Sequence, residues 1–124
     1  MIDHVIVTAW LEKYVNAWKS YDSEAIGSLF SDDARYYYGP FDEPVVGREA
    51  IVASWLEDAD EPGTYDAHYA PIAIDGLTAV VNGRSQYFRV GGKVVENEFD
   101  NIFVLRFDEQ GHCTEFREWY MKKR

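Results

Sequence analysis

Residues 96–121, ENEFDNIFVLRFDEQGHCTEFREWYM, decide the fold. Two runs rich in aromatic and branched residues flank Asp108-Glu109-Gln110-Gly111, a tight-turn sequence, and predict two antiparallel strands. Successive side chains of a strand point to opposite faces. Phe99, Asn101, Phe103, Leu105 and Phe107 therefore share one face, and Phe116, Glu118 and Tyr120 are expected to join them. That face is mostly apolar with a few polar groups, as a lined cavity would be. The opposite face carries Ile102, Val104 and Trp119 beside Arg106 and Arg117. So many large rings on one hairpin need a large surface to pack on.

Upstream of the hairpin, the strand pattern continues back to Thr64. Runs at about Tyr65–Asp75 and Leu77–Val90 precede Val94–Phe107 and His112–Met121, with turns at Asp75-Gly76 and Gly91-Gly92. The first half of the chain is helical. Asp3 can cap a helix from His4, with Ile6, Trp10, Tyr14 and Ala17 on its apolar side and Val7, Leu11 and Trp18 alongside. Ser20-Tyr21 ends it. Asp22 starts a second, shorter helix through Phe30, and Gly47-Arg48-Glu49 leads into a third from Ala50 to Glu57. Between them Arg35 to Tyr38 reads as a strand, and Gly39-Pro40 and Pro44 mark a loop. The expected architecture is α+β: three N-terminal helices packed on a curved, mostly antiparallel sheet. The sheet would form a cone-shaped half-barrel with an internal cavity, one domain over residues 1–124.

The chain has 124 residues, enough for one real core. It is 47% hydrophobic and 16% aromatic, the composition of a folded globule. Nine Tyr, seven Phe and four Trp exceed what a small core needs, so some are expected to line a cavity. The net charge of −10 opposes nucleic acid and anionic membrane as partners. A single cysteine, Cys113, forms no intramolecular disulfide and no cysteine-built metal site. The segment MIDHVIVTAW has no basic stretch and predicts no signal peptide, and no apolar run is long enough to span a bilayer, so the cytoplasm is the expected compartment.

The order of elements and the strings SEAIGSLFSDDARYYYGPF, PVVGREAI, FVLRFDEQG and FREWYM resemble the nuclear transport factor 2-like superfamily along essentially the whole chain. That superfamily includes polyketide cyclase-like proteins, ketosteroid isomerase, limonene epoxide hydrolase and scytalone dehydratase. The fold hosts isomerases, hydrolases, dehydratases, cyclases and non-enzymes alike. Against a ketosteroid isomerase-like site, Tyr14 matches the oxyanion tyrosine, while the base falls on Tyr38 and the second donor on Phe103. Against a limonene epoxide hydrolase-like site, Arg84-Ser85-Gln86 aligns with an Arg-x-Asp, Glu118 with the last-strand Asp, and Tyr36 and Tyr38 with the water-holding residues. Gln86 cannot donate a proton as the acid would. Against a scytalone dehydratase-like site, His68 in AHYAPIAI matches the catalytic His, but its Asp partner is replaced by Lys19. Polyketide cyclase-like sites carry an acid near the end of the last strand, where Glu118 and Met121 are the neighbours.

The expected catalytic set is Glu118, Arg84, His68 and Tyr14. Glu118 would act as acid or base, or else form a structural ion pair with Arg84 across the cavity. His68 could shuttle protons there. Tyr36, Tyr38, Asn101 and Gln86 would contribute polar binding groups. Trp18, Trp55, Phe88, Phe99, Phe103, Phe116 and Tyr120 would form wall or core. The acidic run Glu57-Asp58-Ala59-Asp60-Glu61 reads as a solvated loop. Three scattered histidines lack metal-ligand spacing, so neither metal nor cofactor is expected.

Two functions follow. One is a cofactor-independent enzyme acting by acid–base chemistry on an apolar, ring-containing small molecule, as hydrolase, isomerase, cyclase or dehydratase. The other is a non-catalytic binding module for a small hydrophobic ligand. A homodimer is expected through the outer sheet face, where Tyr87, Ile102, Val104 and Trp119 would be ringed by Arg89, Arg106, Glu115 and Arg117.

Overall fold

A computed structural model describes residues 2–89 and 94–124. Helix α1 spans His4–Ser20, and the Asp3 carboxylate accepts the Ile6 N–H at 2.9 Å, as an N-cap does. Val7, Trp10, Leu11, Tyr14 and Ala17 are buried along one stripe. Ile6, expected on that stripe, is exposed, so the buried stripe runs through Val7 instead. Tyr21 closes the helix in the left-handed conformation (φ 50°), with its N–H on the Ala17 carbonyl.

Helix α2 covers only Ser23–Gly27 and does not reach Phe30. Asp22 stands at its N-cap without a side-chain hydrogen bond. Strand β1 begins at Phe30, well before the Arg35 start that its periodicity suggested, and runs to Tyr37. Pairing across the chain explains both differences. The Cys113 N–H donates to the Leu29 carbonyl at 2.9 Å and Phe30 pairs with Cys113, so those residues gain ladder bonds that continuing the helix would forfeit. The loop after β1 contains a two-residue strand, β2 (Val45–Val46), too short to carry a periodicity signal. Gly47 then turns into α3 (Arg48–Glu57) at φ 97°, a conformation that favours glycine. Arg48 ties the helix to β1 by donating from Nε and Nη2 to the Phe30 carbonyl, each at 3.0 Å.

The long strands are β3 (Tyr65–Asp75), β4 (Thr78–Phe88), β5 (Val95–Phe107) and β6 (Cys113–Lys122). The six strands form one open, curved sheet in the order β2-β1-β6-β5-β4-β3. Among the described residues only β1 and β6 pair in parallel. The β5–β6 turn is held by the Asp108 carboxylate, which accepts the N–H groups of Gln110 and His112 at 2.9 Å. The expected Gly91-Gly92 turn and the strand end at Val90 lie outside the described residues.

The helices cover the sheet's concave face, and an aromatic core fills the space between. Trp10, Tyr14, Phe30, Phe103, Phe107 and Phe116 are all buried. Tyr14 stacks on Phe116 at 5.5 Å between centroids, and Tyr36 stacks on the same ring at 4.2 Å. Trp10 donates its indole N–H to the Leu29 carbonyl at 3.0 Å, so burying it leaves no orphaned donor.

Candidate active site

Above this core the concave side of the sheet remains open. A cavity of about 760 Å³ lies between α1, α3 and the sheet, within the roughly 300–1,000 Å³ range of small-molecule pockets. Glu118 lies on its wall, part-buried on β6 opposite Phe103 of β5. The Asn101 amide Nδ2–H donates to Glu118 Oε2 at 2.8 Å, and the Ser85 hydroxyl donates to Asn101 Oδ1 at 3.0 Å. Ser85 and Asn101 are both buried, and both are satisfied by this chain. Burial pushes the Glu118 carboxyl up from its ordinary 4.5 to about 7, with the Asn101 hydrogen bond acting weakly against it.

Two buried hydroxyls stand near this carboxyl. Tyr14 OH and Tyr36 OH are 3.2 Å apart and share one hydrogen bond. Burial most of all pushes the pKa of each well above the ordinary tyrosine value, helped at Tyr14 by the Tyr36 hydroxyl and Glu118 and at Tyr36 by Glu118 and the Tyr38 hydroxyl, with the Tyr14 hydrogen bond acting against it at Tyr36. Both stay protonated, and a bonded pair of hydroxyls has one proton left to donate elsewhere. Tyr38 OH and Ser54 Oγ are 2.6 Å apart near the mouth. Ser54 directs its own proton to the Ile51 carbonyl, so Tyr38 is the donor in that pair.

The sequence placed many of these groups together. Tyr14, Trp18, Tyr36, Tyr38 and Trp55 line the cavity, as do Phe99, Asn101 and Tyr120. Phe103 and Phe116 lie deeper, as fully buried core beneath it. Strand β4 is reversed relative to expectation. Arg84, Gln86 and Phe88 do not line the cavity, whereas Ser85 and Tyr87 do. Arg84 sits on the outer face, exposed, and pairs with Asp100 at 3.4 Å. The expected ion pair with Glu118 is therefore not formed. Gln86 donates to Glu98 at 3.2 Å. His68 lies across from Arg84 in the β3–β4 ladder and is exposed, so it does not reach the cavity. Tyr87 correspondingly leaves the outer face to which it had been assigned.

The reversal has a packing cause. The inward positions of β4 include Gly83 and Ser85, too small to mark a buried face by size. A Cβ at Gly83 would run into the His68 carbonyl and the Tyr69 ring. Tyr69 occupies the place a β4 side chain would take, and it lines the cavity in its stead. The acidic loop is also more than solvated. Glu57, Asp58 and Asp60 line the cavity mouth, and Asp60 Oδ2 accepts from Trp18 Nε1 at 3.1 Å and from Tyr21 OH at 3.0 Å. Nothing local in the sequence signals bonds that span 39 and 42 residues. Cys113 is buried and its thiol pKa is pushed up by burial, so it is no nucleophile. Among the described residues no group of three or more His, Cys, Asp or Glu side chains is arranged to hold a metal ion.

Helices on the concave face of an open six-stranded sheet, with a cavity between, define the nuclear transport factor 2-like class. Within that class the chain belongs to the SnoaL-like domain family, whose sequence model matches residues 11–116. Among solved structures it is similar to a candidate ketosteroid isomerase from Kribbella flavida DSM 17836, with a TM-score of 0.72. The identity is 19%, and the alignment covers 98% of this chain and 82% of that one. Likeness at that identity concerns the fold. A search among curated proteins finds no match. Among the described residues no helix is long and apolar enough to cross a membrane.

Proposed function

We propose that this chain is a small cofactor-independent enzyme that moves a proton on an apolar, ring-containing molecule held in the cavity, with Glu118 as the acid–base group. The observation that carries this reading is the position of Glu118. It is a carboxyl on an aromatic cavity wall, oriented by a buried Ser85–Asn101 chain, with burial moving its pKa to about 7. A group at that pKa is populated in both protonation states near neutral pH, which is where an acid–base catalyst is most effective. The carboxylate takes a proton from an activated C–H of the substrate and returns it to another atom. Negative charge developing on the substrate's oxygen is met by the free proton of the Tyr14–Tyr36 pair. This chemistry is that of an isomerase or cyclase and needs no bound water. The arginine and the histidine that a hydrolase or dehydratase scheme would use lie outside the cavity.

The reading includes one domain acting in the cytoplasm as a homodimer. Ile102 and Val104 are half-buried and Trp119 is 40% exposed on the outer sheet face, with Arg106, Glu115 and Arg117 around them. Two-fold pairing of like faces is the simplest closed assembly.

The test begins with a panel of ring-containing carbonyl compounds scored by thermal shift. Each hit is then followed by NMR for exchange of its acidic C–H in deuterated water. Exchange is expected with the wild type and at least ~100-fold slower with Glu118→Gln, the size general-base removal brings. Binding without exchange in the wild type would refute catalysis and leave the binding-module alternative.

A further inference from the structure

The cavity wall has a charge pattern that the proton-transfer scheme does not use. Besides Glu118, the lining includes the carboxylates of Asp42, Glu57, Asp58 and Asp60. Among the described residues it includes no Lys, Arg or His. The four additional carboxylates differ in kind. Asp42, Glu57 and Asp58 are exposed, whereas Asp60 is part-buried and held by the two bonds from Trp18 and Tyr21 described above. The Asp60 backbone N–H also donates to Tyr21 OH at 2.9 Å. Asp60 is therefore a fixed charge, while Oδ1 has no partner among the described hydrogen bonds.

Aromatic rings surround this charge. Trp18 stacks on Tyr65 at 4.5 Å and lies 6.1 Å from Tyr87, which meets Phe99 edge-on at 5.7 Å. The Tyr65 hydroxyl donates to the Trp18 carbonyl at 2.6 Å and anchors the stack. Trp18, Tyr21, Tyr87 and Phe99 all line the cavity together with Asp60. Burial raises the Tyr87 hydroxyl pKa, and the charges of Asp60 and then Glu118 raise it further, so that ring lies in the field of both carboxylates. Trp18 and Tyr21 turn their N–H and O–H edges to Asp60, so the attraction for a cation comes from the carboxylate, held in place on an aromatic wall that, among the described residues, carries no positive side chain.

We propose that the cavity selects ligands carrying a protonated amine on an apolar ring, the ammonium lodging at Asp60 among Trp18, Tyr21 and Tyr87 and the ring extending toward Glu118. This deepens the proposed function by naming its substrate class, and it rests on the cavity being the binding site. The net charge of −10 acts in the same direction by steering cations to the mouth. A carboxylate or phosphate substrate would meet only like charge.

Three probes with one skeleton test this: 2-naphthylethylamine, 2-naphthylethanol and 2-naphthylacetate, titrated by calorimetry against the intact chain. The amine is expected to bind at least ~10-fold tighter than the alcohol, as a charge-assisted hydrogen bond to a part-buried carboxylate gives, and the acetate not to bind. Asp60→Asn keeps an acceptor for Trp18 and Tyr21 and should bring amine and alcohol to parity. Should that variant not fold, the wild-type preference is measured from about 0.02 to about 0.5 M salt, where screening must erode it. Glu118→Gln should keep the amine preference, which separates this subsite from catalysis. Failed C–H exchange with an intact amine preference counts against the enzyme reading alone. Equal binding of alcohol and amine, a salt-independent preference, binding of the acetate, or no binding of any probe would overturn the proposal.

Discussion

Replacing Glu118 by glutamine should stabilise the fold, and by an amount that depends on pH. The carboxyl moves from its ordinary 4.5 to about 7 because folding removes it from water. At about 1.4 kcal/mol per pH unit, that displacement corresponds to roughly 3 kcal/mol. The sign follows from proton binding. Between pH 4.5 and 7 the folded chain keeps a proton on Glu118 that the unfolded chain has released. Raising the pH through this window therefore costs stability, the full cost being reached above pH 7 and absent below 4.5. The neutral amide of the Glu118→Gln variant would carry no such cost, and its carbonyl oxygen can still accept from Asn101. Glu118 is only part-buried, so solvent screens its charge and roughly 3 kcal/mol is an upper bound. Urea denaturation of both proteins across the pH range gives the difference directly and cancels the titration of every other group. The variant's advantage should grow from pH 4.5 to 7 and then level off. In melting temperature the plateau is about 10 °C, at roughly 4 °C per kcal/mol for a domain of this length. A difference that stays constant with pH, or favours the wild type at high pH, would show that Glu118 is not desolvated.

Gly83→Ala should destabilise by about 1–3 kcal/mol, the usual cost of overpacking, because its Cβ meets the Tyr69 ring and the His68 backbone; a chemical-denaturation midpoint equal to wild type would count against that close approach. Arg84→Ala should change stability by less than ~1 kcal/mol and leave C–H exchange intact, since it breaks only an exposed pair with Asp100; a large loss of exchange would restore Arg84 to the site. Joint replacement of Val104 and Trp119 by aspartate should convert the proposed homodimer to monomer in light scattering; a monomeric wild type at micromolar concentration would refute the dimer.

The sequence alone reached the hairpin faces, the first helix and its cap, and the place of Glu118 beside Asn101. In each case large apolar side chains recur at one period, so burial leaves a local mark. Phe99, Phe103, Phe107 and Phe116 could hardly face water, and the polar residues between them had to follow. Strand β4 carried no such mark. Its inward Gly83 and Ser85 are small and its outward Arg84 and Gln86 are long, so the resemblance to an arginine-bearing site set the face and set it wrongly. Only the pairing of Tyr69 with Gly83 and of Arg84 with Asp100 decided it. The early end of α2 at Gly27 was likewise decided by Cys113, distant in sequence, offering Leu29 and Phe30 a ladder partner. The roles of Asp60 and Glu118 depend on the same kind of information. A carboxyl's charge is set by what surrounds it in space, and no neighbour in the chain carries the distance from Asp60 to Trp18 or the exclusion of water that moves Glu118 to about 7.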